Sequence, residues 1–148
     1  MDNLNHRKLL NLLRTKDEMT KLELSEALGL SHTTINTYVE QLTAEGLIEN
    51  AGFGESAGGR RPMMVRLAEN SRHFFGVYFA PERVVILAAN LLGREIARRT
   101  IAPCPVFEDT LESIRKAILD MAKAEKLDFS RIMGLGMSFP GVVDSERK

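Results

Sequence analysis

Two short amphipathic helical patterns separated by only Gly29-Leu30-Ser31 constrain this chain more than any other feature, because so brief a break forces two helices to meet at a tight corner. In the first pattern Leu24, Ala27 and Leu28 share a face at helical spacing, leaving Glu23, Ser25 and Glu26 for water. Thr20 is placed to cap its start, after a polar loop at Thr15-Lys16-Asp17-Glu18. Gly29 ends it, since glycine takes the left-handed conformation without a Cβ penalty, and Ser31 offers a hydroxyl to the free amides of the next helix. That second helix has an apolar stripe of Ile35, Val39 and Leu42 with Tyr38 beside it. Its other face carries Thr33, Thr34, Asn36, Thr37 and Gln41, short polar groups that approach base edges and phosphates without obstruction. An earlier helix over Leu4 to Arg14, with Leu9, Leu10, Leu12 and Leu13, completes a three-helix core, and His6 near its start reads as a solvated side chain.

Two strand-like runs follow, Leu47–Asn50 and Met63–Leu67, and the segment between them holds Gly52, Gly54, Gly58 and Gly59 around Arg60 and Arg61. Glycines let a backbone lie close to a duplex, and an arginine at such a tip suits the negative potential of a narrow A·T-rich minor groove. Three helices and this hairpin make residues 1–67 a winged helix-turn-helix. The candidate DNA contacts are Ser31, His32, Thr33, Thr34, Asn36 and Thr37 on the second helix of the pair, with Arg60 and Arg61 on the wing. The expected partner is double-stranded DNA with a pseudo-palindromic site and A·T-rich flanks, read by a homodimer whose two helices sit about one duplex turn apart. Residues 1–67 hold eight Lys/Arg and nine Asp/Glu, so a non-specific nucleic-acid coat is excluded and placement must carry any phosphate contacts. Arg7, Lys8, Lys21, Arg60 and Arg61 are the basic residues expected to gather on one side.

Past a polar junction at 68–72 the pattern changes. Phe74–Phe79, Val84–Asn90 and Glu95–Thr100 read as a three-strand meander turned at Pro81-Glu82 and Leu92-Gly93. Pro103 and Pro105 break it, and from Phe107 to Lys126 the residues Leu111, Ile114, Ile118, Met121 and Ala122 mark a long amphipathic helix. Ile132 to Phe139 closes as a buried strand, with Gly134 and Gly136 there for close packing. Gly134-x-Gly136 is no dinucleotide fingerprint, because it lies within a strand, lacks the third glycine and is followed by Phe139-Pro140. The fold class is therefore α+β: an N-terminal winged helix-turn-helix followed by a β-β-β-α-β unit over 73–148.

The remaining features exclude classes. Cys104 is the sole cysteine, and His6, His32 and His73 are widely spaced, so neither a disulfide nor a metal site is expected. The longest apolar runs, such as Val84 to Ala89, are far below membrane-spanning length, and the N-terminus lacks a signal-peptide pattern. These features, with 44% hydrophobic and 27% charged residues, fit a soluble cytoplasmic chain.

Three stretches carry a specific resemblance: Gly58-Gly-Arg-Arg-Pro62 leading into Val65-Arg-Leu67, the strand Phe75-Gly-Val-Tyr-Phe79 with its meander to Gly93, and Gly134-Leu-Gly-Met-Ser-Phe-Pro-Gly-Val-Val-Asp144. Through them the chain resembles the N-terminal part of ROK family transcriptional regulators, which join a winged helix to a sugar-kinase-like domain of the actin and ribonuclease-H-like type. The resemblance covers nearly all of this chain and only the first part of the family's length. It implies a partial sugar-kinase-like domain over 73–148 and a repressor of sugar-related genes. In the family's sugar kinases an acidic residue and a glycine-rich turn hold Mg-ATP phosphates at the end of the first meander strand. Here Tyr78 falls where the acid would be and Pro81 lacks an N–H, so neither catalysis nor a cofactor is expected. The family's catalytic aspartate and zinc motif fall beyond Lys148, and Asp144 would lie near the sugar cleft only in a longer chain. The other reading is a sugar- or protein-sensing module, or a kinase remnant, in which DNA contact is incidental. A β-β-β-α-β unit leaves an open sheet edge, so the second half is expected to dimerise through that edge or the helix at Phe107–Lys126, or else to be partly disordered.

Overall fold

The computed structural model describes residues 4–54 and 61–141, and the chain divides into two compact units, Met1–Ser71 and Arg72–Lys148. The first unit begins with α1 (Leu4–Lys16), which buries Leu9 and Leu13. The helix runs two residues further than Arg14. Asp17, at φ 63°, then turns the chain out of it. The expected loop at 15–18 is thus replaced by the end of α1 and a short strand, β1 (Glu18–Thr20), that pairs antiparallel with β3 (Met63–Leu67). Met19 points inward from β1, an isolated apolar residue among polar neighbours that gives a periodicity argument nothing to count.

Helix α2 (Lys21–Leu28) starts with a full capping box: the Thr20 hydroxyl accepts from the Glu23 amide at 3.1 Å, and the Glu23 carboxylate accepts from the Thr20 amide at 2.7 Å. It ends at Gly29, which takes φ 64°. Leu24 is buried and Leu28 half-buried, whereas Ala27 is exposed. The half-buried Lys21 and Ser25 show why: at about 100° per residue, the buried sector of this helix is centred between Leu24 and Ser25, and Ala27 falls outside it. Ser25 does not face water. Its hydroxyl donates to the Leu30 carbonyl at 2.6 Å, and its own carbonyl accepts from the Leu30 amide at 3.2 Å, so it pins the corner between the helices. Helix α3 (His32–Ala44) buries Ile35, Val39 and Leu42 and packs against α2 and β2. Tyr38 holds His6 edge-on, with ring centroids 4.6 Å apart. His6 is therefore half-buried, where solvation had been expected, because the flank of α3 supplies an aromatic face directly across from α1.

Strand β2 (Ile48–Phe53) and β3 form the wing, in a sheet of order β1-β3-β2. β2 extends three residues past Asn50 because a bulge absorbs the irregularity: Asn50 faces Val65 and Gly52 faces Met64, with Gly52 at φ 100°. The Asn50 side chain accepts from the Gly52 amide at 2.8 Å and fixes that turn.

In the second unit β4 (His73–Ala80), β5 (Arg83–Asn90) and β6 (Glu95–Ile101) form the expected meander, and β7 (Ile132–Ser138) adds parallel to β4, giving the order β6-β5-β4-β7. Alternate residues Phe75, Val77, Phe79, Val84, Ile86 and Ala88 are buried under α4 (Phe107–Ala124), which contributes Ile114, Ala117, Met121 and Ala122. Thr110 is also buried, its hydroxyl accepting from the Cys104 amide at 2.8 Å, whereas Leu111 is 37% exposed. The helix face is thus rotated from the one its leucines imply, since a hydroxyl with a backbone partner can occupy the core.

The last strand departs most from expectation. β7 is exposed along nearly its whole length, not buried, and a Cβ added at Gly134 or Gly136 would meet nothing within 4 Å. The register puts Leu135 and Met137 beside Phe75 and Val77, on the α4 side of the sheet. α4, however, packs over β5 and β6, leaving Met133, Leu135 and Met137 open at the edge. Phe139, just past β7, stacks on Phe79 at 4.3 Å.

Candidate nucleic-acid interface

The sequence chemistry places the polar face of α3 outward by burying its opposite stripe. With Ile35, Val39 and Leu42 fixed in the core, Ser31, His32, Thr33 and Thr37 are exposed, and Thr34 and Asn36 are half-buried at the margin. Five of these six side chains, together with backbone groups of Thr33 and Thr34, form a set of local bonds. The Ser31 hydroxyl accepts from the Thr34 amide at 3.1 Å and lies 2.8 Å from the Thr34 hydroxyl. The Thr37 hydroxyl donates to the Thr33 carbonyl at 3.2 Å, and Asn36 Nδ2 lies 3.3 Å from His32 Nδ1. The face is thereby ordered in advance, which lowers the entropic cost of docking on a rigid partner. Ser31 acts first as the cap of α3, as capping chemistry assigns, with the Thr34 amide as its donor.

The wing begins next to this face in sequence and is closed at its base by the Gly54 amide donating to the Pro62 carbonyl at 2.9 Å. Gly54 sits close to the opposite strand: an added Cβ would lie 3.1 Å from the Met64 sulfur and push that side chain back by a few tenths of an ångström. Arg61 is exposed immediately before Pro62. Arg60, Gly58 and Gly59 lie outside the described residues, as does Asp144. Of the basic residues expected to cluster, Arg7 and Lys8 are exposed on α1 and Lys21 is half-buried at the start of α2. Arg66 is paired across the wing with Glu49 at 2.7 Å. Sequence reasoning missed Phe53 and Met63, which face each other across β2 and β3 and are 63% and 45% exposed. The alternation of the wing strands was the signal for them.

In the second unit the turn after β4 bears on phosphate chemistry. Ala80 pairs with Arg83, so Pro81-Glu82 is a two-residue hairpin, with no length to wrap a phosphate and one N–H missing. Tyr78 projects beside it into an open depression of about 660 Å³ lined by Gly76, Val85, Leu87, Arg98 and Gly136. Arg98 there is engaged by Glu95 at 2.6 Å. Among the described residues no helix is long and apolar enough to cross a membrane.

Three packed helices, a capped second helix presenting small polar groups, and a β-hairpin after it define a winged helix-turn-helix. The family model for winged helix-turn-helix DNA-binding domains matches residues 2–49. Across both units the chain has the fold of a crystal structure described as a ROK family transcriptional regulator, homolog of the E. coli MLC protein. The TM-score is 0.66 at 20% identity, covering 95% of this chain and 38% of that one. The xylose repressor of Caldicellulosiruptor bescii is 24% identical over 132 residues, 86% of this chain and 33% of the repressor. The xylose repressor of Bacillus subtilis (strain 168) is 25% identical over 149 aligned residues, 97% of this chain and 38% of the repressor. The resemblance to ROK transcriptional regulators is thus borne out in fold, alongside a sequence similarity to xylose repressors, and this chain spans between 33% and 38% of the length of the curated relatives it matches.

Proposed function

We propose that this chain is a sequence-specific DNA-binding transcriptional regulator that represses sugar-related genes, with unit 1 as the DNA-reading domain and unit 2 as the start of a sugar-kinase-like domain that performs no phosphoryl transfer. The observation that carries the reading is the exposed, internally bonded polar face of α3, His32 to Thr37, set on a three-helix body and followed by a wing. Ser31, His32, Thr33, Thr34, Asn36 and Thr37 meet the major groove and the adjoining phosphates, and Arg60 and Arg61 enter the flanking minor groove where A·T pairs narrow it. Repressor names among the relatives support the sign of regulation, and xylose repressors support a sugar as the signal. The two-residue turn at Pro81-Glu82 supports a non-enzymatic second unit. The exposed β7 residues Met133, Leu135 and Met137 support a homodimer, in which two copies of α3 read a pseudo-palindrome.

Selection from a randomised duplex pool at near-physiological salt, followed by anisotropy against scrambled DNA, tests this reading. An enriched inverted repeat with A·T-rich flanks is the expected result. A folded protein that enriches no sequence would overturn it.

A further inference from the structure

Within that DNA-reading assignment, on which this inference rests, we infer that His32 and Asn36 read one base step as a coupled unit, with Asn36 on an adenine and His32 both positioning Asn36 and contacting a neighbouring guanine. The two side chains sit one helical turn apart on the face of α3 that includes its N-terminus, the end that reaches base edges in helix-turn-helix docking. Asn36 Nδ2 lies 3.3 Å from His32 Nδ1. The orientation of the Asn36 amide sets the direction of this bond. With Nδ2 facing the ring, the amide nitrogen donates, and the His32 tautomer protonated on Nε2 accepts through Nδ1.

Each partner is left with a defined set of free groups. Asn36 keeps its Oδ1 acceptor and a second Nδ2–H, which is the bidentate set that meets adenine N6–H and N7 in the major groove. His32 keeps Nε2–H, a donor that meets guanine O6 or N7. Asn36 without His32 has a freely turning amide whose two orientations present opposite patterns, and only one of them fits adenine. Holding an adaptable side chain in its binding orientation is equivalent to about two- to tenfold in affinity. His32 is therefore a positioning residue for the adenine contact as well as a contact residue in its own right. Neighbouring Thr34 and Thr37 do not take its place, since residues one or two apart on a helix do not face each other.

The test uses the full 148-residue protein and a randomised duplex pool sequenced after selection, with His32→Ala, His32→Gln, Asn36→Ala and the double variant His32→Ala/Asn36→Ala. All changes are at the helix surface, and matched circular dichroism and thermal unfolding establish that each variant is folded. Asn36→Ala is expected to flatten an adenine preference by about tenfold at one position of each half-site. His32→Ala is expected to flatten that same adenine and an adjacent guanine. His32→Gln, whose side-chain carbonyl can accept from Asn36, keeps the adenine preference and loses the guanine one. The double variant loses no more discrimination at the adenine than Asn36→Ala alone. Preferences at other positions stay as in the wild type, which a merely structural role for His32 would not produce. If the wild type enriches a site whose adenine preference survives His32→Ala, or which contains no position dependent on Asn36, the coupling is overturned while DNA reading stands. If the wild type enriches nothing, the DNA-binding assignment itself falls, and this inference with it.

Discussion

Replacing Ser31 separates the two roles its position combines. In the structure its hydroxyl accepts from the Thr34 amide at 3.1 Å and satisfies one of the four unpaired donors at the start of α3. It also lies 2.8 Å from the Thr34 hydroxyl, which loses its local partner when Ser31 is changed. Ser31→Ala removes the acceptor and should cost about 1 kcal/mol, because an alanine at the cap position, held extended at φ −65°, ψ 150°, leaves the Thr34 amide to water. That is a factor of about five in the opening of the first turn, read directly as faster hydrogen exchange of the Thr34 amide. In thermal unfolding it corresponds to a fall of about 4–8 °C in Tm for a unit of this size. Ser31→Gly should cost only a few tenths of a kcal/mol, since glycine is tolerated at this cap. The pair of variants then divides stability from recognition: Ser31→Gly binds DNA like the wild type if the hydroxyl serves only the cap, and loses affinity with near-native stability if it also meets a phosphate. A Ser31→Ala protein with unchanged exchange at Thr34 and unchanged Tm would refute the capping argument and the preorganised face built on it.

Three further outcomes follow from the geometry. The Thr20 amide and hydroxyl donate to Glu23 and hold its carboxyl below the usual carboxylate range. A folded value below the unfolded one gives stability that is present above the ordinary glutamate range and lost as pH falls through the folded value, so the penalty of Glu23→Gln in urea unfolding should be larger at pH 7 and shrink below about pH 4. Ile86→Ala empties a fully buried position between β4, β6 and α4 and should destabilise unit 2 by about 2–5 kcal/mol in denaturant titration; a loss under about 1 kcal/mol would mean the β5 core is loosely packed. Arg61→Ala should weaken binding to a selected site with A·T-rich flanks about fivefold, equivalent to about 1 kcal/mol, and leave G·C-flanked variants of the same site unaffected in anisotropy. Equal losses on both flanks would place Arg61 on phosphate alone.

Much of the interface was written locally. The Thr20 and Ser31 caps, the glycine corner at Gly29, and the stripe of Ile35, Val39 and Leu42 follow from capping chemistry and the 3.6-residue period, and all are present in the structure. The strands of the meander were readable for the same reason, since two-residue alternation with β-branched and aromatic side chains needs no knowledge of neighbours. Other features depend on partners far away in sequence. β1 exists because β3 offers it an edge, and nothing in Glu18-Met19-Thr20 announces that pairing. Ser25 faces the corner, not water, because Leu30 turns its carbonyl back toward it.

The sequence by itself therefore determined the helix pair, its caps, the polar composition of the α3 face and the order of strands and helix in the second unit, because each is set by interactions within a few residues. Tertiary structure alone decided the exposure of β7. An apolar run of the kind Ile132 to Ser138 contains is buried only where another layer covers it, and α4 lies over β5 and β6 instead. It also decided that His6 meets Tyr38 and that Thr110, not Leu111, turns into the core, since both outcomes depend on which face of a helix its neighbour can reach.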